Sequence, residues 1–192
     1  MSYENGDFSF REFSGVILEG ESFRSSTLTC AKFKNCTLKG VDFSEGFLAE
    51  VLFENCTLEG CTFEHANLQR AKFVHCSLKD SSFFSAFLGQ ARFEDCLIDG
   101  CNFSACQIPD GEFVKSCLSS SSFEGAYMKG SVFESSELKS VDVSQADLRK
   151  ASFRNTNFES IRDDGSLFYG RKPWGGERSS KDWSEFESYG FD

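Results

Sequence analysis

The stretch ANLQRAKFVHCSLKDSSFFS, residues 66–85, carries an apolar residue at every fifth position. These positions are Leu68, Phe73, Leu78 and Phe83. The same step of five runs without a break from Phe8 to Phe158. A period of five matches neither the helical turn nor the two-residue alternation of a strand. A fixed short period is typical of a solenoid, in which each unit buries its apolar residue by stacking on copies of itself.

A smaller residue lies two positions before each apolar residue, as Ala66 does before Leu68 and Cys76 before Leu78. The other three positions of each unit carry nearly all the charged and amide side chains, which face water in folded proteins. The sequence therefore predicts one large and one small inward residue in every unit.

The unit is clearest in residues 66–70, ANLQR, and residues 146–150, ADLRK. It resembles the unit of the pentapeptide-repeat family, in which a small residue is followed by Asp or Asn, then Leu or Phe, then two variable residues. The resemblance covers most of the chain in one frame. It implies an all-β fold, a right-handed quadrilateral β-helix with four pentapeptides in each coil and about eight coils in all.

Three further columns recur every 20 residues, which independently supports a 20-residue coil. They are the cysteines Cys36, Cys56, Cys76 and Cys96, the glycines Gly20, Gly40, Gly60 and Gly100, and the alternating charges Glu19, Lys39, Glu59, Lys79 and Asp99. Such a coil has four sides, which we name the Phe13, Leu18, Phe23 and Leu28 sides after one inward residue of each. Phe occupies two opposite sides and Leu the other two.

The step of five divides the chain into three parts. Residues 1–7 are predicted to be an N-terminal lead-in and residues 8–160 the β-helix, because Asp163 falls where an apolar residue is due. Residues 161–192 form an aromatic C-terminal extension. Open solenoid ends expose strand edges and core residues, so we expect this extension to cap the last coil or to mediate a homodimer. The residues expected to do so are Trp174, Trp183 and Phe186.

Composition narrows the range of functions. The formal net charge of −10 argues against direct binding of nucleic acid through its phosphates. The sequence shows neither a signal peptide nor an apolar stretch long enough to span a membrane. Nine cysteines at repeat positions favour reduced thiols. We therefore predict a cytoplasmic protein without a membrane segment.

The sequence contains no convincing catalytic or metal-binding cluster. A cysteine column forms a straight ladder, whereas zinc needs ligands that converge on one point. His65 and His75 are predicted to face outward without a nucleophile or carboxylate partner in a cleft. We predict that the protein is not an enzyme and that it has no metal or cofactor.

One candidate interaction surface is an aromatic stripe on the Leu28 side, formed by Phe47, Phe87 and Tyr127. These residues immediately precede the inward residues of alternate coils, and small uncharged neighbours such as Ala49 and Gly89 accompany them. An exposed aromatic stripe of low charge is typical of a protein contact surface. The alternative is that these large side chains lie flat against the coil.

A second candidate surface is an acidic side, the Phe23 side, where Arg24 is the basic residue identified from the sequence. Its candidate contact residues are Asp42, Glu45, Glu64, Glu124 and Asp142. One acidic side on a narrow rod could contact a basic groove, although charged solenoid faces often serve only solubility.

Two functions follow as predictions. The first is a non-enzymatic scaffold that binds a protein partner through a flat side of the rod. The second comes from the family resemblance, whose best understood members are acidic DNA mimics. These bind type II topoisomerases such as DNA gyrase, or topoisomerase IV, and confer resistance to quinolones or toxins. Both functions fit a monomer or a C-terminally linked homodimer.

Overall fold

The structure is a computed structural model that describes residues 3–175. Within this range the fold is all-β, with sixteen strands of three residues each and no helix. The strands are β1 (Glu12–Ser14), β2 (Ile17–Glu19), β3 (Lys32–Lys34), β4 (Thr37–Lys39), β5 (Leu52–Glu54), β6 (Thr57–Glu59), β7 (Lys72–Val74), β8 (Ser77–Lys79), β9 (Arg92–Glu94), β10 (Leu97–Asp99), β11 (Glu112–Val114), β12 (Cys117–Ser119), β13 (Val132–Glu134), β14 (Glu137–Lys139), β15 (Ser152–Arg154) and β16 (Asn157–Glu159).

The strands form two parallel sheets of eight strands each. The odd-numbered strands line the Phe13 side and the even-numbered strands line the Leu18 side. Each strand pairs with the strand one coil later, so Phe13 aligns with Phe33. The Phe23 and Leu28 sides are joined by single bridges with the same spacing, such as Ser22 to Asp42. The predicted β-solenoid with a 20-residue coil is confirmed.

A left-handed backbone residue makes every corner of the coil. It lies two positions after each inward residue, with φ of 57° at Glu45 and at His65 and 64° at Lys150. Glycine adopts this conformation at no steric cost, and Asn and Asp tolerate it better than most other residues. The glycine column that contains Gly40 and Gly60 lies at these corners, which explains why it recurs every 20 residues.

Phenylalanine rings fill the interior in two stacks. Within one stack, the ring of Phe93 lies 4.7 Å from that of Phe73 and 4.9 Å from that of Phe113, nearly parallel to both. Between the two stacks the rings meet edge to face, as Phe83 and Phe93 do at 6.2 Å and 84°. Both geometries are favourable for aromatic pairs. The two opposite Phe sides predicted from the sequence therefore form one continuous core.

The cysteine column is part of this core. The Sγ atom of Cys56 lies 3.3 Å from the carbonyl oxygen of Phe33, to which the thiol donates. Ser116, in the same column, donates its hydroxyl to the carbonyl of Phe93 at 3.2 Å. Cysteine and serine thus do the same structural work as the small inward residue of the unit.

The predicted charge column also aligns across the coils. Lys39 pairs in register with Glu19 and with Glu59, and its Nζ atom lies 3.9 Å from a carboxylate oxygen of Glu59. These side chains are about half exposed, so each pair stabilises the fold by less than about 1 kcal/mol.

Backbone pairing begins before Phe8 and continues after Phe158. The ring of Tyr3 stacks on that of Phe23 at 4.7 Å, and Asp7 forms a bridge with Thr27. Residues 3–7, predicted as a lead-in, thus contribute to the first coil.

At the other end, Arg162 forms a bridge with Asp142 and Leu167 with Asp147. The ladder therefore runs beyond the boundary that the sequence predicts after residue 160. The charged side chain of Asp163 interrupts the apolar pattern without interrupting the backbone pairing.

Candidate protein-interaction surfaces

The aromatic stripe lies on the Leu28 side with its three side chains exposed. The exposed fractions are 56% for Phe47, 43% for Phe87 and 39% for Tyr127. Bridges connect Phe47 to Asn67, Asn67 to Phe87, Phe87 to Gln107 and Gln107 to Tyr127. Aromatic and amide side chains therefore alternate from coil to coil, and successive aromatic residues stand about 9.6 Å apart along the rod.

A groove of about 380 Å³ opens between the first two aromatic residues of the stripe. Its lining comprises Glu45, Gly46, Phe47, His65, Asn67, Gln69 and Phe87. The residues come from two adjacent sides of the rod, since Glu45 and His65 lie at the corner that precedes the Leu28 side. The groove thus combines two aromatic walls with a polar rim.

Two aromatic residues that sequence reasoning missed extend this surface round the corner. The rings of His65 and Phe84 meet edge to face at 5.9 Å, and Phe84 is exposed. His65 had been considered only as a catalytic candidate. The signal for Phe84 was the consecutive pair Phe83 and Phe84, because two neighbouring residues of one strand cannot both face inward.

A second groove of about 390 Å³ lies along the opposite edge of the same side. The small residues Ala49, Gly89 and Pro109 line it together with Glu50, Gln69, Arg70, Gln90 and Asp110. Its arginine is already engaged. The Nε atom of Arg70 donates to Gln90 at 3.1 Å, and a guanidinium nitrogen lies 3.8 Å from the Glu50 carboxylate. Gln69 lines both grooves, so the two form one surface.

The acidic side consists of two clusters rather than one continuous row. Asp42, Glu45 and Glu64 occupy neighbouring coils, and Glu124 and Asp142 occupy two later ones. Between the clusters, the outward residues of this side are neutral, namely Ser82, Phe84, Ser85, Asn102, Ser104 and Ala105. The negative charge is therefore concentrated near the two ends of the rod.

Arginines neutralise part of each cluster. A guanidinium nitrogen of Arg24 lies 2.5 Å from Glu45, and one of Arg162 lies 3.3 Å from Asp142. The expectation that Arg24 is the only basic residue here is therefore wrong. Arg162 lies on the same side, because the ladder continues past residue 160.

Three of the acids also make hydrogen bonds within the rod. The Oδ1 atom of Asp42 accepts the backbone N–H of Ser44 at 2.8 Å, and Asp142 does the same for Ser144. The carboxylate of Glu64 accepts the hydroxyl of Ser82 at 2.9 Å. These contacts give the carboxylates a structural use that does not require a partner.

At the C-terminal end, Trp174 packs against the last core rings. Its ring lies between 5.5 and 5.7 Å from those of Phe153, Phe158 and Phe168. Its Nε1 atom donates to the carboxylate of Asp163 at 2.8 Å, and Lys172 reaches the same oxygen at 2.5 Å.

The environment of Asp163 favours its charged form. Burial tends to raise the pKa of Asp163, but the hydrogen bonds from Lys172 and Trp174 outweigh it, so the pKa lies below its usual value. Trp183 and Phe186, the other two residues predicted for a cap or dimer contact, lie outside the described residues.

The remaining reactive side chains offer little chemistry. Burial raises the pKa of Cys61 to about 11 and that of Cys101 to about 12, so these thiols stay protonated at neutral pH. No group of His, Cys, Asp and Glu in residues 3–175 is arranged to hold a metal ion. The same part of the chain has no helix of the length and apolarity needed to cross a membrane.

Comparison with protein families gives two matches of one kind. The family described as "Pentapeptide repeat region" matches residues 47–119. The family described as "Pentapeptide repeats (8 copies)" matches residues 12–44 and 116–155. Together these matches span most of the solenoid. Among curated proteins, none matches this sequence significantly.

Two solved structures share the fold. QnrB1, a plasmid-mediated fluoroquinolone resistance protein, is 17% identical, with a TM-score of 0.64 over 87% of this chain and 88% of its own. HetL from the cyanobacterium Nostoc sp. strain PCC 7120 is involved in the regulation of heterocyst differentiation. It is also 17% identical, with a TM-score of 0.56 over 87% of this chain and 84% of its own. At this identity the likeness concerns the fold alone.

Proposed function

The chain belongs to the pentapeptide-repeat family, whose members are generally non-enzymatic structural or interaction proteins, and we propose that it is a scaffold that binds a protein partner. The contact surface is the Leu28 side of the rod, with Phe47, Phe87 and Tyr127 as anchors. The alignment of these three exposed aromatic residues above a groove carries the proposal.

Physical reasons support this choice of surface. Large aromatic side chains supply much of the binding energy at protein interfaces, and the core of such interfaces is poor in charge. The stripe alternates aromatic rings with the neutral amides of Asn67 and Gln107, whereas the acidic side keeps much of its charge in internal pairs. The rigid ladder holds the anchors in place before binding, which lowers the entropic cost of association.

The proposal is tested by binding measurements with a partner captured from the host lysate and then purified. We expect the double change Phe47→Ser and Phe87→Ser to weaken binding at least tenfold, with weak dependence on salt. Phe10→Ser is the matched control, because Phe10 is an exposed phenylalanine outside the stripe. Equal affinities for the wild type and the double variant would exclude the stripe as the contact surface.

A second candidate function is an acidic DNA mimic that binds DNA gyrase or topoisomerase IV. The net charge of −10 and the shared fold with a fluoroquinolone resistance protein favour it. The contact residues would be Asp42, Glu45, Glu64, Glu124 and Asp142. The pairing of two of these acids with arginines makes this candidate the weaker of the two.

A supercoiling assay with purified gyrase, with and without a quinolone and at two salt concentrations, tests the second candidate. A DNA mimic gives salt-sensitive inhibition or protection, because ionic contacts between exposed groups are screened by salt. The double change Glu64→Lys and Glu124→Lys should abolish the effect. Activity that survives this change would remove the acidic side from consideration.

We also propose that the protein works in the cytoplasm. All nine cysteines are free thiols in the structure, which suits a reducing compartment. The contact of Trp174 with its own last coil favours capping by the extension over a dimer contact at this residue.

A further inference from the structure

The groove between Phe47 and Phe87 has the dimensions of a slot for one flat group. Both aromatic residues flank the Asn67 rung, so a flat group placed above Asn67 would lie about 4.8 Å from each ring if it were centred. The core uses nearly the same spacing, with the rings of Phe63 and Phe83 stacked at 4.7 Å. An aromatic or guanidinium plane fits this gap, whereas a branched aliphatic group does not fill it evenly.

The polar rim of the slot consists mainly of hydrogen-bond acceptors. Glu45 contributes a half-exposed carboxylate, and Asn67 and Gln69 contribute amide oxygens. The carboxylate already holds one guanidinium, that of Arg24, at 2.5 Å. A second oxygen of Glu45 accepts the hydroxyl of Ser25 at 3.2 Å, which fixes the carboxylate in place.

These features select among possible side chains. Guanidinium is planar, carries five N–H donors and stacks on aromatic rings. An aromatic side chain would leave the acceptors of the rim unmatched. A lysine ammonium has the charge but not the plane. The net charge of −10 further favours a basic partner over an acidic one.

We propose that this slot receives an arginine side chain of the partner protein, which stacks between Phe47 and Phe87 and donates to Glu45. The inference rests on the proposed function, since it names the chemistry that the aromatic stripe recognises. It differs from the acidic DNA mimic, in which charge rather than the two rings determines binding.

The test is an NMR titration of the full chain at pH 8 with N-acetyl-arginine amide. Two further probes are N-acetyl-lysine amide and N-acetyl-citrulline amide, the second being a neutral analogue of similar shape. We expect shifts centred on Phe47, Asn67 and Phe87, with a dissociation constant of about 1 to 10 mM, as suits so small a ligand. Arginine should bind at least threefold more tightly than either of the other probes.

Two variants and one control locate the site. Glu45→Gln and Phe87→Ser should each weaken arginine binding at least threefold. Glu124→Gln, which removes a distant acid of the same side, should leave it unchanged. Equal binding of the three probes, no binding at 50 mM, or equal losses in Glu45→Gln and Glu124→Gln would overturn the proposal.

The titration needs no partner, so it separates this inference from the proposed function. If the probe fails while the partner still depends on Phe47 and Phe87, the interaction surface stands and the arginine is wrong. If the probe binds while the partner ignores the stripe, the slot exists but the proposed function is wrong.

Discussion

The two ends of the rod solve the same problem in different ways. At the N-terminal end the ring of Tyr3 covers that of Phe23, while Phe8 and Phe13 stay partly exposed. At the C-terminal end Trp174 packs on three core rings and is fixed by Asp163, which also binds Lys172. Each end coil has only one neighbour to stack on, so its stability depends on such additions. The comparison indicates that the N-terminal coil is held less firmly than the C-terminal one.

The largest expected effect contrasts the middle of the rod with an end. Phe93→Ala removes a ring that stacks on Phe73 and Phe113, and it should lower the free energy of unfolding by about 3 to 5 kcal/mol. Phe13→Ala should cost about half as much, because Phe13 stacks on one ring of its own side and is partly exposed. Urea unfolding followed by circular dichroism measures both. Equal costs would show that the ends are as well packed as the middle.

The next effect concerns the C-terminal end alone. Trp174→Ala should cost about 2 to 3 kcal/mol, less than a fully buried tryptophan, because the ring is only partly buried. Hydrogen exchange should accelerate at the amides of Arg162 and Leu167, which bond to the preceding coil. The amide of Phe8, in the first coil, serves as the internal control. Unchanged exchange at Arg162 would mean that Trp174 does not stabilise the end.

The ion pair at this end gives a smaller, pH-dependent effect. Asp163→Asn leaves the mostly buried Lys172 without its anion and should cost about 2 kcal/mol at pH 7, below the value for a fully buried pair. Since the pKa of Asp163 is lowered in the folded protein, its contribution is fully present above the ordinary aspartate pKa and is lost as the pH falls through the lower folded value.

The difference in unfolding free energy between the wild type and Asp163→Asn should therefore shrink in strong acid. Urea titrations at pH 7, 4 and 2.5 measure it. A difference that stays constant over this range would show that the charge of Asp163 is not what holds the end.

The smallest expected effect is at the N-terminal end. Tyr3→Ala should cost about 1 kcal/mol, the size of one partly exposed aromatic contact. Exchange should accelerate at the amides of Phe8 and Phe10, which bond to the second coil, and not at Arg162. A cost as large as that of Trp174→Ala would remove the asymmetry between the ends.

The step of five residues was sufficient to predict most of the fold. It states which side chains face inward, and the columns of 20 state which residues stack, so both sheets and both Phe stacks could be derived. The two ends were harder to predict. Asp163 breaks the apolar pattern, yet backbone hydrogen bonds do not depend on the side chain, and the ladder continues to Leu167.

The candidate site was predicted only in part, for a related reason. Phe47, Phe87 and Tyr127 share one column, and their alternation could be read from the sequence. The contact between His65 and Phe84 joins residues that are not 20 apart and lie at different positions of the unit. The repeat predicts contacts within a column, whereas contacts across a corner depend on the backbone turn made by the left-handed residue.

The uniform coil also governs how the length of this gene can change. An insertion of 20 residues would add one rung and leave every later residue on its own side. An insertion of five would keep the core in register but turn the rest of the surface by a quarter revolution, moving the downstream part of one side onto the next. An insertion of any number that is not a multiple of five would turn core residues outward. Sequence length in such a rod therefore acts as a phase, and a binding surface built across several coils survives only those changes that preserve it.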